Sequence, residues 1–115
     1  MSVAVVPVSA SASEISREDW MDSMSIALPA IFCQPEMYFR QCFDVTQTKC
    51  EETAVSVTRI CLEKNKEKIP ETLQQPQDGT SWGRVIGACA GESFELVLQK
   101  DRISNQKCDD PGNWQ

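Results

Sequence analysis

The sequence predicts an all-α protein, a small four-helix bundle built on a helical hairpin and stapled by three disulfides. Three observations support this class: apolar residues recur at three- and four-residue steps, strand signals are weak, and six cysteines occur in 115 residues. A chain of this length normally forms one domain, which buries only about two-thirds of its unfolded surface, so cross-links would contribute much of its stability. We predict a single helical, disulfide-stabilised domain over residues 14–115.

The first thirteen residues differ in composition from the rest of the chain. They are uncharged and consist largely of Ala, Val and Ser. Ala10, Ser11 and Ala12 have the A-x-A form of a signal-peptide cleavage site, but no basic residue precedes the apolar stretch. We interpret residues 1–13 as the remnant of a secretory signal or as a flexible tail.

The first three helices are predicted from caps, prolines and periodic apolar residues. The first begins after the cap residue Ser16, and Pro29 kinks or ends it. Its predicted apolar stripe consists of Trp20, Met24, Ala27, Leu28 and Ile31. The second helix runs from Pro35 to about Val45, and the third follows a capping box that begins at Thr48.

The fourth helix is predicted from Trp82 to about Lys100, and it is rich in glycine. Its polar residues fall within an arc of about 80°, so we place it centrally in the bundle. Gly83, Gly87 and Gly91 repeat every four residues. Two interpretations stay open: close packing against another helix, or a groove for a partner's side chain.

The groove interpretation defines a candidate partner surface on the fourth helix. Besides the three glycines, it includes Trp82 and Glu92 at the rim. Trp82 has an alternative role in the core, because large aromatic side chains dominate core burial.

The cysteine spacing predicts how the helices are cross-linked. In an antiparallel helical hairpin, residues equidistant from the turn face each other. A turn at about residues 46 and 47 brings two pairs of cysteines face to face, each pair with one cysteine on the second helix and one on the third. The remaining two cysteines would then join the fourth helix to the C-terminal segment. The predicted bridges are Cys33–Cys61, Cys42–Cys50 and Cys89–Cys108.

The two spacings C-x8-C and C-x10-C resemble a known arrangement. They are similar to the twin CX9C hairpins of the coiled-coil-helix-coiled-coil-helix proteins of the mitochondrial intermembrane space, with Tyr38 and Phe39 just ahead of Cys42. The resemblance covers residues 33–61 only. It implies an alternative function as an intermembrane-space hairpin protein in assembly or metal delivery.

Composition narrows the function. The chain has no histidine, which excludes catalytic triads that use histidine and zinc sites that contain histidine. Seventeen acidic and eleven basic residues give a net charge of −6, which disfavours nucleic acid and anionic lipid as partners. No apolar run is long enough for membrane insertion. We predict no catalytic residue, cofactor or metal.

By elimination, the sequence predicts a non-enzymatic protein-binding module that is periplasmic or secreted. It would act through a rigid acidic helical surface as an inhibitor, an immunity-type protein or an assembly partner. The expected partner is a basic protein.

Overall fold

The computed structural model describes residues 13–114 and is mostly helical. Its elements are β1 (Glu14–Ser16), α1 (Arg17–Phe32), α2 (Tyr38–Gln41), α3 (Gln47–Asn65), β2 (Thr72–Gln74), α4 (Gln77–Val97) and two 3-10 turns, Gln99–Asp101 and Pro111–Trp114. The predicted all-α class, with four helices and three disulfides, is confirmed. The interpretation of residues 1–13 falls almost entirely outside the described residues.

Helix α3 lies between α1 and α4. It packs along both neighbours, whereas α1 and α4 meet over only a short stretch. The Gly-rich helix is therefore not central, contrary to the prediction. The narrow polar arc of α4 was misleading because three of its aliphatic residues, Val85, Leu96 and Val97, are exposed to solvent.

Side-chain caps fix where two of the helices begin. Ser16 caps α1 as predicted, because its Oγ accepts a hydrogen bond from the Asp19 amide at 3.1 Å. Helix α1 continues through Pro29 to Phe32. Helix α3 begins earlier than predicted because the cap is Thr46, not Thr48.

The second predicted helix is reduced to the four residues of α2. Directly after it, the backbone of residues 42–44 pairs with residues 101–103. The Ile103 amide donates to the Cys42 carbonyl at 2.8 Å, and the Asp44 amide donates to the Asp101 carbonyl at 2.8 Å. This tertiary pairing uses backbone groups that a longer helix would need, so the helix stops at Gln41.

A short antiparallel sheet, which was not predicted, joins the segment before α1 to the segment after α3. Strand β1 pairs with β2 so that Ile15 lies opposite the fully buried Leu73. Beside the sheet, the Arg17 guanidinium donates to the carbonyls of Lys66 and Ile69 at 3.3 and 3.1 Å. These contacts fix the start of α1 against the end of α3.

The core contains an aromatic cluster contributed by α1, α2, Phe43 just after α2, and α4. Phe39 of α2 stacks on Phe32 of α1 with ring centroids 4.2 Å apart. It also meets Phe94 of α4 edge-on at 5.1 Å. Phe43 meets the same Phe94 ring at 5.2 Å. The short α2 therefore packs its phenylalanine against both α1 and α4.

All three predicted disulfide pairings are wrong. The cysteines form Cys33–Cys50, Cys42–Cys108 and Cys61–Cys89, with Cα separations of 5.7–5.9 Å.

Two of the observed bridges join other pairs of helices. Cys33 at the end of α1 meets Cys50 in the first turn of α3, and Cys61 of α3 meets Cys89 of α4. The predicted hairpin required a second helix extending to Val45. Since that helix stops early, Cys42 instead meets the C-terminal segment through the backbone pairing described above.

Candidate interaction surface

The three α4 glycines of the predicted partner surface fall into two groups. At Gly83 and Gly87, an added Cβ would meet nothing within 4 Å, leaving out the helix's own nearby backbone. At the buried Gly91, a Cβ would lie 3.0 Å from Cζ of Phe39. Close packing therefore accounts for Gly91, whereas Gly83 and Gly87 leave a partly exposed strip of backbone beside open space.

The other two predicted residues, Trp82 and Glu92, differ in their surroundings. Trp82 is partly buried and packs against the core, in agreement with its alternative role. Glu92 is exposed, but at about 100° per residue it points about 180° from Gly83 and about 140° from Gly87. Helix α4 therefore does not bring Glu92 to the rim of the glycine strip. Whether Trp82, the glycines or Glu92 contact a partner stays a prediction.

A more extensive candidate surface lies on α1 and was missed at the sequence level. We define the α1 outer face by its exposed residues Glu18, Asp19, Asp22, Ser23, Ile26, Ala27, Ala30 and Ile31. Two of these, Ala27 and Ile31, were expected in the buried stripe. The signal that was available is the uniformly apolar run over residues 26–32, which leaves apolar residues on both sides of the helix.

The carboxylates of the α1 outer face have few partners. Glu18 lies 4.0 Å from Arg17, at the limit of an ion pair. Within residues 13–114, neither Asp19 nor Asp22 forms an ion pair. No Lys or Arg occurs between Arg17 and Arg40 in the sequence. This face therefore presents uncompensated negative charge next to exposed aliphatic side chains.

The C-terminal segment is fixed by a hydrogen-bonded group around Tyr38. The Tyr38 hydroxyl donates to Glu95 Oε1 and accepts from Arg102 Nε at 3.0 Å. The Arg102 guanidinium also donates to the Cys108 carbonyl at 3.0 Å and lies 5.3 Å from the centroid of the Tyr38 ring. Together with Cys42–Cys108, these contacts hold the end of the chain on the bundle.

Burial is the main cause that raises the pKa of Tyr38 above its ordinary value. The hydrogen bond to the Glu95 carboxylate raises this pKa further, and Arg102 partly opposes the shift. The phenol is therefore held in its neutral form, which can both donate and accept a hydrogen bond.

These features define a class: a small all-α protein held together by three disulfides, as is typical of proteins from oxidising compartments. Among the described residues, no helix is long and apolar enough to cross a membrane.

Comparison with protein-family models gives the particular family. Residues 14–102 match the family described as "T2SS substrate NttA". The match spans more than half of the chain, so the chain belongs to this family of type II secretion system (T2SS) substrates. No curated protein and no solved structure matches the chain.

Membership fixes the coarse localisation. A T2SS substrate is secreted by way of the periplasm, so the predicted extracytoplasmic location is supported. The alternative of a mitochondrial hairpin protein gains no support.

Proposed function

We propose that this secreted protein is a non-enzymatic binding protein that docks a basic protein partner through a rigid acidic helical surface. It would act as an inhibitor, an immunity-type protein or an assembly partner. The observation that carries the proposal is the α1 outer face, where uncompensated carboxylates adjoin exposed aliphatic side chains.

Rigidity supports the proposal, because a preorganised surface loses little conformational entropy when it binds. Both ends of α1 are fixed. The N-terminal end is held by the Arg17 hydrogen bonds to the carbonyls of Lys66 and Ile69, and the C-terminal end by Cys33–Cys50. The surface is therefore presented in one conformation before a partner arrives.

Charge supports a basic partner. The net charge of −6 attracts cations over the whole molecule, and the acidic half of α1 focuses this attraction on one side. The association rate with a basic protein is expected to fall as salt screens these charges.

The test is affinity capture on the oxidised protein from the culture supernatant and from an extract of the producing cells, at low and high salt. We expect a partner that elutes at high salt and re-forms a stoichiometric complex with the purified protein. The bait Asp19→Asn/Asp22→Asn should retain less partner, whereas the matched control Glu63→Gln/Glu67→Gln, with exposed carboxyls near the end of α3, should behave as wild type.

Intact mass separates binding from catalysis. In a binding complex, both proteins keep their masses after prolonged incubation. If a small amount of this protein converts an excess of the partner to a product of different mass, the non-enzymatic function is wrong. If wild type forms no stoichiometric complex at low salt, the binding function itself is wrong.

A further inference from the structure

The second half of α1 is apolar on every side. Residues 26–32 contain no polar side chain, and Leu28 and Phe32 supply the side that faces the core. A helix that is apolar all round is normally covered all round. In α1, however, Ile26 is 75% exposed and Ile31 is 44% exposed.

These exposed residues form one patch. A single exposed isoleucine is common and needs no explanation. Here Ile26, Ala27, Ala30 and Ile31 occupy positions i, i+1, i+4 and i+5, which adjoin on a helix surface. The patch therefore spans about 1.7 turns of α1 without an intervening polar group.

The acidic residues continue the same stripe toward the N-terminus. At about 100° per residue, Asp19, Asp22, Ile26 and Ala30 fall within an arc of about 80°. At about 1.5 Å rise per residue, the stripe is about 17 Å long, and its acidic end begins about 6 Å from Ile26. Its charge and its apolar area are thus separated along the axis, one at each end.

We infer that the α1 outer face docks an amphipathic basic helix of a protein partner, an inference that rests on the proposed binding function. The aliphatic side chains of that helix cover the patch at Ile26, and its Lys or Arg side chains lie opposite Asp19 and Asp22. A helix fits because the stripe follows the length of α1, so the two helices can pack side by side.

The alternative surface, an anionic membrane, is disfavoured by charge. An interfacial helix that binds such a membrane carries Lys or Arg beside its apolar face. The α1 outer face carries Glu18, Asp19 and Asp22 in that place, which anionic headgroups repel.

The probe is a fluorescein-labelled helical peptide of Leu and Lys with a length of about five turns, its Leu residues on one stripe. Binding to the oxidised protein is measured by fluorescence anisotropy and mapped by amide chemical shifts. We expect the shifts to follow α1 from Asp19 to Ile31. The same peptide with Glu in place of Lys should bind at least about tenfold more weakly.

Matched variants separate this face from other exposed aliphatic residues. Ile26→Gln is expected to weaken peptide binding about tenfold, because the loss of one buried aliphatic side chain is of that order. Ile60→Gln is the control, since Ile60 is 61% exposed on α3. It should bind as wild type does. Both substitutions replace exposed side chains, and circular dichroism checks that the fold is retained.

The proposal is overturned if the peptide does not bind, if the shifts map to another face, or if Ile60→Gln weakens binding as much as Ile26→Gln. Binding to anionic vesicles through the same residues would also overturn it. The natural partner separates the two proposals. If Ile26→Gln captures that partner as well as wild type does, the α1 site is wrong but the binding function stands.

Discussion

Replacing Gly83, Gly87 or Gly91 of α4 by alanine is expected to change stability, in opposite directions for the open and the tightly packed positions. Gly83 and Gly87 lie in a helix interior, where alanine is favoured over glycine by about 1 kcal/mol. The space beside both glycines is open, so the new methyl groups meet nothing. Each of Gly83→Ala and Gly87→Ala should therefore raise the free energy of unfolding by about 1 kcal/mol, or the melting temperature by about 4 °C.

Gly91→Ala is expected to lower the free energy of unfolding. Its methyl group would lie 3.0 Å from Cζ of Phe39, a ring already stacked at 4.2 Å on Phe32 and in contact with Phe94. Overpacking of this kind costs about 1–3 kcal/mol, which outweighs the helix propensity that is gained. We expect a net loss of about 1 kcal/mol.

The assay is urea unfolding followed by circular dichroism, with equal m-values required for comparison. The double variant Gly91→Ala/Phe39→Leu supplies the control, because a smaller side chain at position 39 makes room for the methyl group. Relative to Phe39→Leu alone, Gly91→Ala should then be neutral or stabilising. The packing argument is refuted if Gly91→Ala stabilises the protein as much as Gly83→Ala does.

Three further predictions concern a bridge, a buried hydroxyl and the single tyrosine. Cys42→Ala/Cys108→Ala should lose about 4 kcal/mol in urea unfolding, since this bridge joins residues 66 apart; a loss below about 1 kcal/mol would contradict the chain-entropy estimate. Thr58→Val should stabilise the protein by about 1 kcal/mol, because Thr58 Oγ1 is buried and has no hydrogen-bond partner among the described residues; destabilisation would indicate a partner. Titration by near-ultraviolet absorbance should give Tyr38 a midpoint above its ordinary value of about 10, and a midpoint at or below that value would disprove the shift. Because the folded pKa is raised, the associated stability is present below about pH 10 and declines as the pH rises through the folded value, a decline that Tyr38→Phe should reduce.

Local signals in the sequence were sufficient where local chemistry decides the structure. The Ser16 cap and the helical class follow from neighbouring residues alone. The cysteine pairing depends on the backbone contact between residues 42–44 and 101–103. No local sequence pattern in either segment predicts that contact. The backbone hydrogen bonds of this contact end α2 earlier than predicted. All three observed bridges therefore differ from the predicted ones.

The candidate surface was missed for a related reason. Periodicity identifies residues that share a side of a helix, but it does not say which sides the neighbouring elements cover. Ala27 and Ile31 lie in an apolar segment, yet α1 packs mainly against α3 and its opposite side has no covering element among the described residues. The glycines of α4 show the same limit of periodicity. Gly83, Gly87 and Gly91 are equally spaced, but only at Gly91 would an added Cβ contact an aromatic ring.

The arrangement of the bridges also limits how the chain can be pulled or threaded. Tension applied at the two ends would pass along residues 33–42 and cross to Cys108 through the Cys42–Cys108 bridge. Residues 43–107 lie outside this path, so an intact chain cannot be drawn out as one extended strand. Any channel that passes the oxidised protein must therefore admit several chain segments side by side.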